Sequence, residues 1–165
     1  MVERHIGLVY GGARVGLMGT LADSVLAAGG HVTGVIPEAL AAKEIAHSGL
    51  SELHVVTSMH ARKALMANLS DGFIALPGGW GTLEELLEVL SWAQLGLHHK
   101  PCGLLNVLGF FDGLLSFIDH GIEEGFVRRE NRSMMLVSPS ADALVDALEE
   151  YVPRRVEKWI DAAET

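Results

Sequence analysis

Residues 76–85 read Leu-Pro-Gly-Gly-Trp-Gly-Thr-Leu-Glu-Glu. Gly78, Gly79 and Gly81 let backbone N–H groups converge on one point beside a helix start, where the helix dipole favours an anion. Such a loop can cradle a phosphate. Glu84 and Glu85 bring acid to the same turn. If a phosphate sits there, at least one of them must serve another part of the ligand. The competing reading is a capping box, with Thr82 as N-cap and Glu85 closing back on the Thr82 N–H. It accounts for Thr82 and Glu85, but not for the three glycines together.

A second glycine-rich stretch, Tyr10-Gly11-Gly12-Ala13-Arg14-Val15-Gly16-Leu17-Met18-Gly19, is neither a dinucleotide G-x-G-x-x-G nor a P-loop, since no Gly-Lys-Ser/Thr follows. Alone it reads equally well as a tight turn in which Gly16 and Gly19 bring a helix close to a sheet. Two such loops at neighbouring strand ends favour a phosphate site. "TSMHARKALM", residues 57–66, opens another helix with Ser58 placed as N-cap. Arg62 and Lys63 would point about 100° apart on it. They form either a solvated basic pair or a site in which Arg62 forks onto an anionic group. Met59, Leu65, Met66 and Leu69 read as core. The histidines show no H-x-H or H-E-x-x-H spacing, so no metal site is expected. His98-His99 reads as a solvated pair at a helix end. Cys102 reads as a buried structural residue, and Lys43, Lys63, Lys100 and Lys158 give little basis for a pyridoxal-phosphate enzyme.

Six short apolar runs must position these residues: 5–10, 31–36, 53–56, 72–76, 102–107 and 134–138. Most are continuous rather than alternating, as in parallel strands covered on both faces. Helical patterns near 16–29, 38–47, 59–70, 82–97, 110–125 and 140–151 separate them, and the C-terminal "YVPRRVEKWIDAAET" reads as a short helix or a tail. Strands alternating with helices predict an α/β fold, a Rossmann-like doubly wound parallel sheet in a single domain over residues 1–165. Ligands of such sheets bind beyond the carboxyl ends of the strands, where both glycine-rich loops fall. A composition 49% hydrophobic and 20% charged is globular. The net charge of −9 disfavours nucleic acid, which needs a basic footprint. No apolar run suits a membrane span, no signal peptide is visible, and the single cysteine excludes an intrachain disulfide; the expected location is cytoplasmic.

"PGGWGTLEE" (77–85) fits the P-G-G-x-G-T-x-x-E pattern of the Lonely Guy family, and "SMHARK" (58–63) resembles its M-H-x-R-K signature. "YGGARVGLMG" is similar to its first glycine-rich loop, and "SWAQLGLHHKPCGLLNV" (91–107) to a stretch that usually follows. The resemblance runs from about Ile6 to the final helices. It implies a cytokinin riboside 5′-monophosphate phosphoribohydrolase with a nucleoside 5′-monophosphate substrate, no cofactor, no metal, and a homodimer or higher assembly. Carried over by position, Arg62 and Glu85 are the catalytic pair. Gly78, Gly79, Gly81 and Thr82 hold the phosphate, Gly12 lies in the first loop, and Lys63 and Glu44 contact substrate. The alternative is a non-catalytic nucleotide-binding module; a decarboxylase is the third reading. The family usually begins with one more strand, a Gly-Ser-rich loop and a helix, so open strand edges are expected here. A carboxylate suits the reaction, because breaking an N-glycosidic bond builds positive charge on the ribose.

Overall fold

The computed structural model describes residues 1–43 and 46–153. The chain divides into two compact units, Met1–Ser70 and Asp71–Thr165. Both are built of strands alternating with helices, and every named strand pair is parallel.

The first unit runs β1 (Leu8–Tyr10), α1 (Gly16–Ala27), β2 (Val32–Pro37), α2 (Glu38–Ala41), β3 (Glu52–Val56) and α3 (Met59–Leu69), after a short 3-10 turn at Val2–Arg4. Its sheet has the order β1-β2-β3. β2 is central and buried at every position, which explains its continuous apolar run. Leu8 opposes Val32 and Tyr10 opposes Gly34. On that face Tyr10 and Val32 pack with Ala22 and Val25 of α1. Successive residues alternate faces, so Gly11 turns the other way and meets α3 through Arg62. Helices thus cover both faces.

The second unit runs β4 (Phe73–Ala75), α4 (Trp80–Gln94), β5 (Cys102–Leu105), α5 (Asp112–Glu123), α6 (Arg129–Arg132), β6 (Met135–Ser138) and α7 (Ala141–Glu149), in the sheet order β4-β5-β6. Leu104 of the central strand is fully buried among Ala75, Leu86, Phe111 and Met135, with α4 and α5 on that face. Gly103 faces the other way, where a Cβ would press on Leu144 and Leu148 of α7. After β5, the Asn106 side chain accepts from the Phe111 N–H at 2.7 Å and donates to Asp112 at 2.8 Å, fastening the start of α5. Among the described residues β1, β3, β4 and β6 are each paired on one side only.

All six predicted strands form, with ends trimmed by one to three residues in most cases. The helix expected over 38–47 stops at Ala41. Ala46 is drawn into an antiparallel bridge with Ala13, and the His47 N–H donates to the Gly12 carbonyl at 2.9 Å. That tertiary pairing overrides the helix propensity of an alanine-rich stretch. The short α6 has no counterpart in the sequence reading, and the C-terminal stretch lies outside the described residues from Arg154 onward.

His98 also departs from expectation. It is not a solvated helix end: α4 closes at Gln94, and the His98 ring turns inward to pack on Phe73, centroids 5.3 Å apart. Its Nε2 donates to the Val89 carbonyl at 2.9 Å, and its Nδ1 accepts from the Lys100 N–H at 3.1 Å. The accepting Nδ1 requires the neutral ring. Burial is the main reason that its pKa lies below the ordinary 6.5. The folded chain therefore binds this proton less readily than the unfolded one. The stabilisation is complete above the ordinary value and is lost as pH falls through the folded value. Thermal unfolding should show Tm dropping as pH falls below the ordinary value of 6.5, and His98→Gln should flatten that drop because its amide carries no titrating proton.

The same unit offers a packing test. Leu104→Ala should cost about 2–5 kcal/mol in denaturant unfolding, the usual loss for a fully buried leucine.

Candidate functional site

In the first unit the site elements lie at the carboxyl end of the parallel sheet. β1 ends at Tyr10 and leads into Gly11 and Gly12, both buried. Gly12 has φ of +72°, and a Cβ there would crowd Ile36 and Val35 of β2. Only glycine suits that turn. At Gly11 the backbone is ordinary, and the constraint is space: a Cβ would fall on the guanidinium of Arg62.

Arg62 reaches that point from α3. The helix begins as the sequence predicts, with the Ser58 hydroxyl accepting from the Ala61 N–H at 3.1 Å. Arg62 stands one turn in, and its Nη1 lies 3.8 Å from the Met59 sulfur. The cap fixes where α3 starts, and the start fixes which residue projects over the end of β1. The half-buried guanidinium is thus held against the backbone at a strand's carboxyl end. It is not the solvated basic pair that the adjacent Arg62 and Lys63 could have been. Lys63 is half-buried too and projects from a different angle of the helix. Glu44 lies outside the described residues.

Tyr10 was not singled out by spacing. It is 6% exposed, and its hydroxyl has no hydrogen-bond partner among the described residues. Burial, with the charge of Asp23 adding to it, pushes its phenol up to about 12, so it stays protonated. No sequence signal separates this tyrosine from a core aromatic.

In the second unit β4 leads through Pro77, Gly78 and Gly79 into α4, and here the capping-box reading fails. The helix starts at Trp80, with Gly79 as its N-cap and no side-chain cap bond. The first helical bond runs from the Leu83 N–H to the Gly79 carbonyl at 3.1 Å. Thr82 is therefore already inside the first turn, and Glu85, in the second, is not the closing residue of a box around it. The reason is the glycine N-cap, which starts the helix early and leaves no side-chain oxygen at the cap. Thr82 instead folds its side chain back against Gly78, where any Cβ would collide with the Thr82 hydroxyl.

Gly79 and Gly81 meet nothing: a Cβ on either would enter open space. No packing inside the unit demands glycine there, and neither has positive φ. The N–H groups of Trp80, Gly81 and Thr82 have no carbonyl four residues back within the helix. A bare, side-chain-free helix start is what close approach by an anion needs. Thr82 and Glu85, three apart, share one side of the early helix. Glu85 is half-buried and Glu84 exposed. Trp80 is 89% exposed at the rim of this loop. Cys102 is buried on β5, and burial pushes its thiol up to about 12, which leaves it inert as a nucleophile.

A family model described as "Possible lysine decarboxylase" matches residues 18–148. The cytokinin riboside 5′-monophosphate phosphoribohydrolase LOG1 of Arabidopsis thaliana is 56% identical over 154 residues, 93% of this chain and 72% of the relative. LOG2 of the same plant is 54% identical with the same coverage. The enzyme LOG of Oryza sativa subsp. japonica is 55% identical over 93% of this chain and 63% of its own length. Taken with the glycine-opened start of α4 and Arg62 at the end of β1, these likenesses show that the chain belongs to the LOG family of cytokinin riboside 5′-monophosphate phosphoribohydrolases.

Proposed function

We propose that the chain hydrolyses the N-glycosidic bond of N6-modified adenosine 5′-monophosphates, releasing the free cytokinin base and ribose 5-phosphate. The observation that carries this reading is the 56% identity, across 93% of the chain, to a relative named for that activity. The signatures "SMHARK" and "PGGWGTLEE" stand intact within the matched stretch.

In this reading the phosphate is held by the N–H groups at the start of α4, with Gly78, Gly79, Gly81 and Thr82 as its cradle, and Gly12 contributes from the first loop. Water attacks C1′ of the ribose while the bond from C1′ to the base nitrogen breaks. The electron pair leaves with the base, which takes up a proton. Glu85 stabilises the positive charge that develops on the ribose and orients the water. Arg62 acts as the catalytic cation, a fixed fork for an oxygen of the ligand or for a carboxylate. Lys63 and Glu44 contact the substrate. The chain acts as one domain in the cytoplasm, as a homodimer or higher homo-oligomer, without a cofactor or nucleic-acid partner. Among the described residues no helix is long and apolar enough to cross a membrane. Exposed Phe117 and Phe126 in the second unit support association between copies.

Incubation with isopentenyladenosine 5′-monophosphate and with AMP, followed by assay of free base, tests the reading. Base release from at least one is expected. A folded chain that releases base from neither sinks it, and nucleotide-dependent thermal stabilisation without product would favour the binding-module alternative. Glu85→Gln should lower kcat by at least about 10²-fold, the scale of one lost electrostatic group, with Tm almost unchanged. Gly11→Ala should separate geometry from stability: the new Cβ displaces only the tip of Arg62, so Tm should hardly move. Activity should fall by about 10- to 100-fold, as expected for an ångström-scale misplacement of a reacting group.

A further inference from the structure

We infer that His47 is a positioning residue for the nucleotide site, locking the first glycine-rich loop to the segment that follows β2. The inference rests on the function proposed above and adds to it a residue outside the family signatures.

His47 makes three attachments within the first unit. Its backbone N–H donates to the Gly12 carbonyl at 2.9 Å, next to the antiparallel bridge of Ala46 with Ala13. Its ring Nε2 lies 2.9 Å from Oδ1 of Asp23 on α1. Its Nδ1 accepts from the Gly49 N–H at 3.1 Å. With Nδ1 accepting, Nε2 carries the donated proton, and the imidazole bridges its own turn to Asp23. One residue therefore joins the loop after β1, the helix after that loop, and the segment after β2.

Gly12 has a left-handed backbone packed against β2, and its carbonyl is held by the His47 N–H. The same loop includes Gly11, against which Arg62 lies. The His47 side chain is 11% exposed and that of Asp23 72%. A pair with so exposed a carboxylate contributes little to global stability. Its effect falls on where the loop sits.

The test compares wild type with His47→Ala, His47→Gln and Asp23→Ala. It measures kcat and KM with isopentenyladenosine 5′-monophosphate, Tm, and hydrogen exchange of the amides at 11–16. His47→Ala should raise KM by about two- to fivefold, the scale of a largely exposed pair, with kcat falling less than KM rises because binding is lost uniformly. His47→Gln, whose amide nitrogen can replace Nε2 toward Asp23, should recover most of the loss. Asp23→Ala should raise KM by a smaller factor, and amides at 11–16 should exchange faster in His47→Ala. An active wild type with KM unchanged in His47→Ala would overturn the inference alone. So would a loss of activity that merely tracks Tm and is not recovered by glutamine. A wild type that neither binds nor hydrolyses the nucleotide would overturn the parent reading, and the inference with it.

Discussion

Each strand pair in the two sheets of this chain runs parallel, and a parallel pair cannot be closed by a tight turn. The chain must leave each strand at its carboxyl end and return along a crossover before it can pair again. In the first unit, that sends the loops after β1, β2 and β3 to one end of the sheet. In the second, it does the same for the loops after β4, β5 and β6. The crossovers need covering helices, the helices bury the strands on both faces, and burial demands the apolar runs of β2 and β5. Chemistry is left to the strand ends, where the backbone is free to turn and side chains can project.

What happens at those ends is decided by where side chains are missing. Arg62 can lie over the end of β1 because residue 11 offers no Cβ. The start of α4 is open because residues 79 and 81 offer none, while Thr82 is folded back onto a third glycine at 78. A protein of net charge −9 can still receive a phosphate under these conditions. In the proposed function the attraction comes from helix-start N–H groups at short range, where the distant surface charge is screened. Gly79 and Gly81, where a Cβ would meet open space, are the glycines that packing leaves unexplained.

Much of this was legible beforehand. Six strands, the parallel α/β class and the Ser58 cap follow from run length, apolar continuity and one well-placed hydroxyl. The buried, inert Cys102 followed from its place in an apolar run. Three local rules misled, each for an identifiable reason. The Thr82–Glu85 box was plausible by spacing, but a glycine N-cap at 79 starts the helix before the threonine. The helix after β2 was cut short by pairing with residues 12 and 13, which lie more than thirty positions upstream. His98 looked like a helix-end cation, yet Phe73 and the Val89 carbonyl draw it inside as a neutral ring.

The sequence by itself determined the period of the elements, the glycine-rich strand ends and the signatures that mark the family. These are local properties, carried by residues within a few positions of one another. Only the tertiary structure decided that Arg62 rests against Gly11, that Thr82 rests against Gly78, and that His47 holds Gly12 while bonding to Asp23. Even Thr82 and Gly78, four positions apart, meet only because the helix starts at Trp80. The other contacts join residues 24 to 51 positions apart, and sequence spacing carries no record of such a meeting. It is set by strand register and helix start, which are fixed only when the sheet has formed.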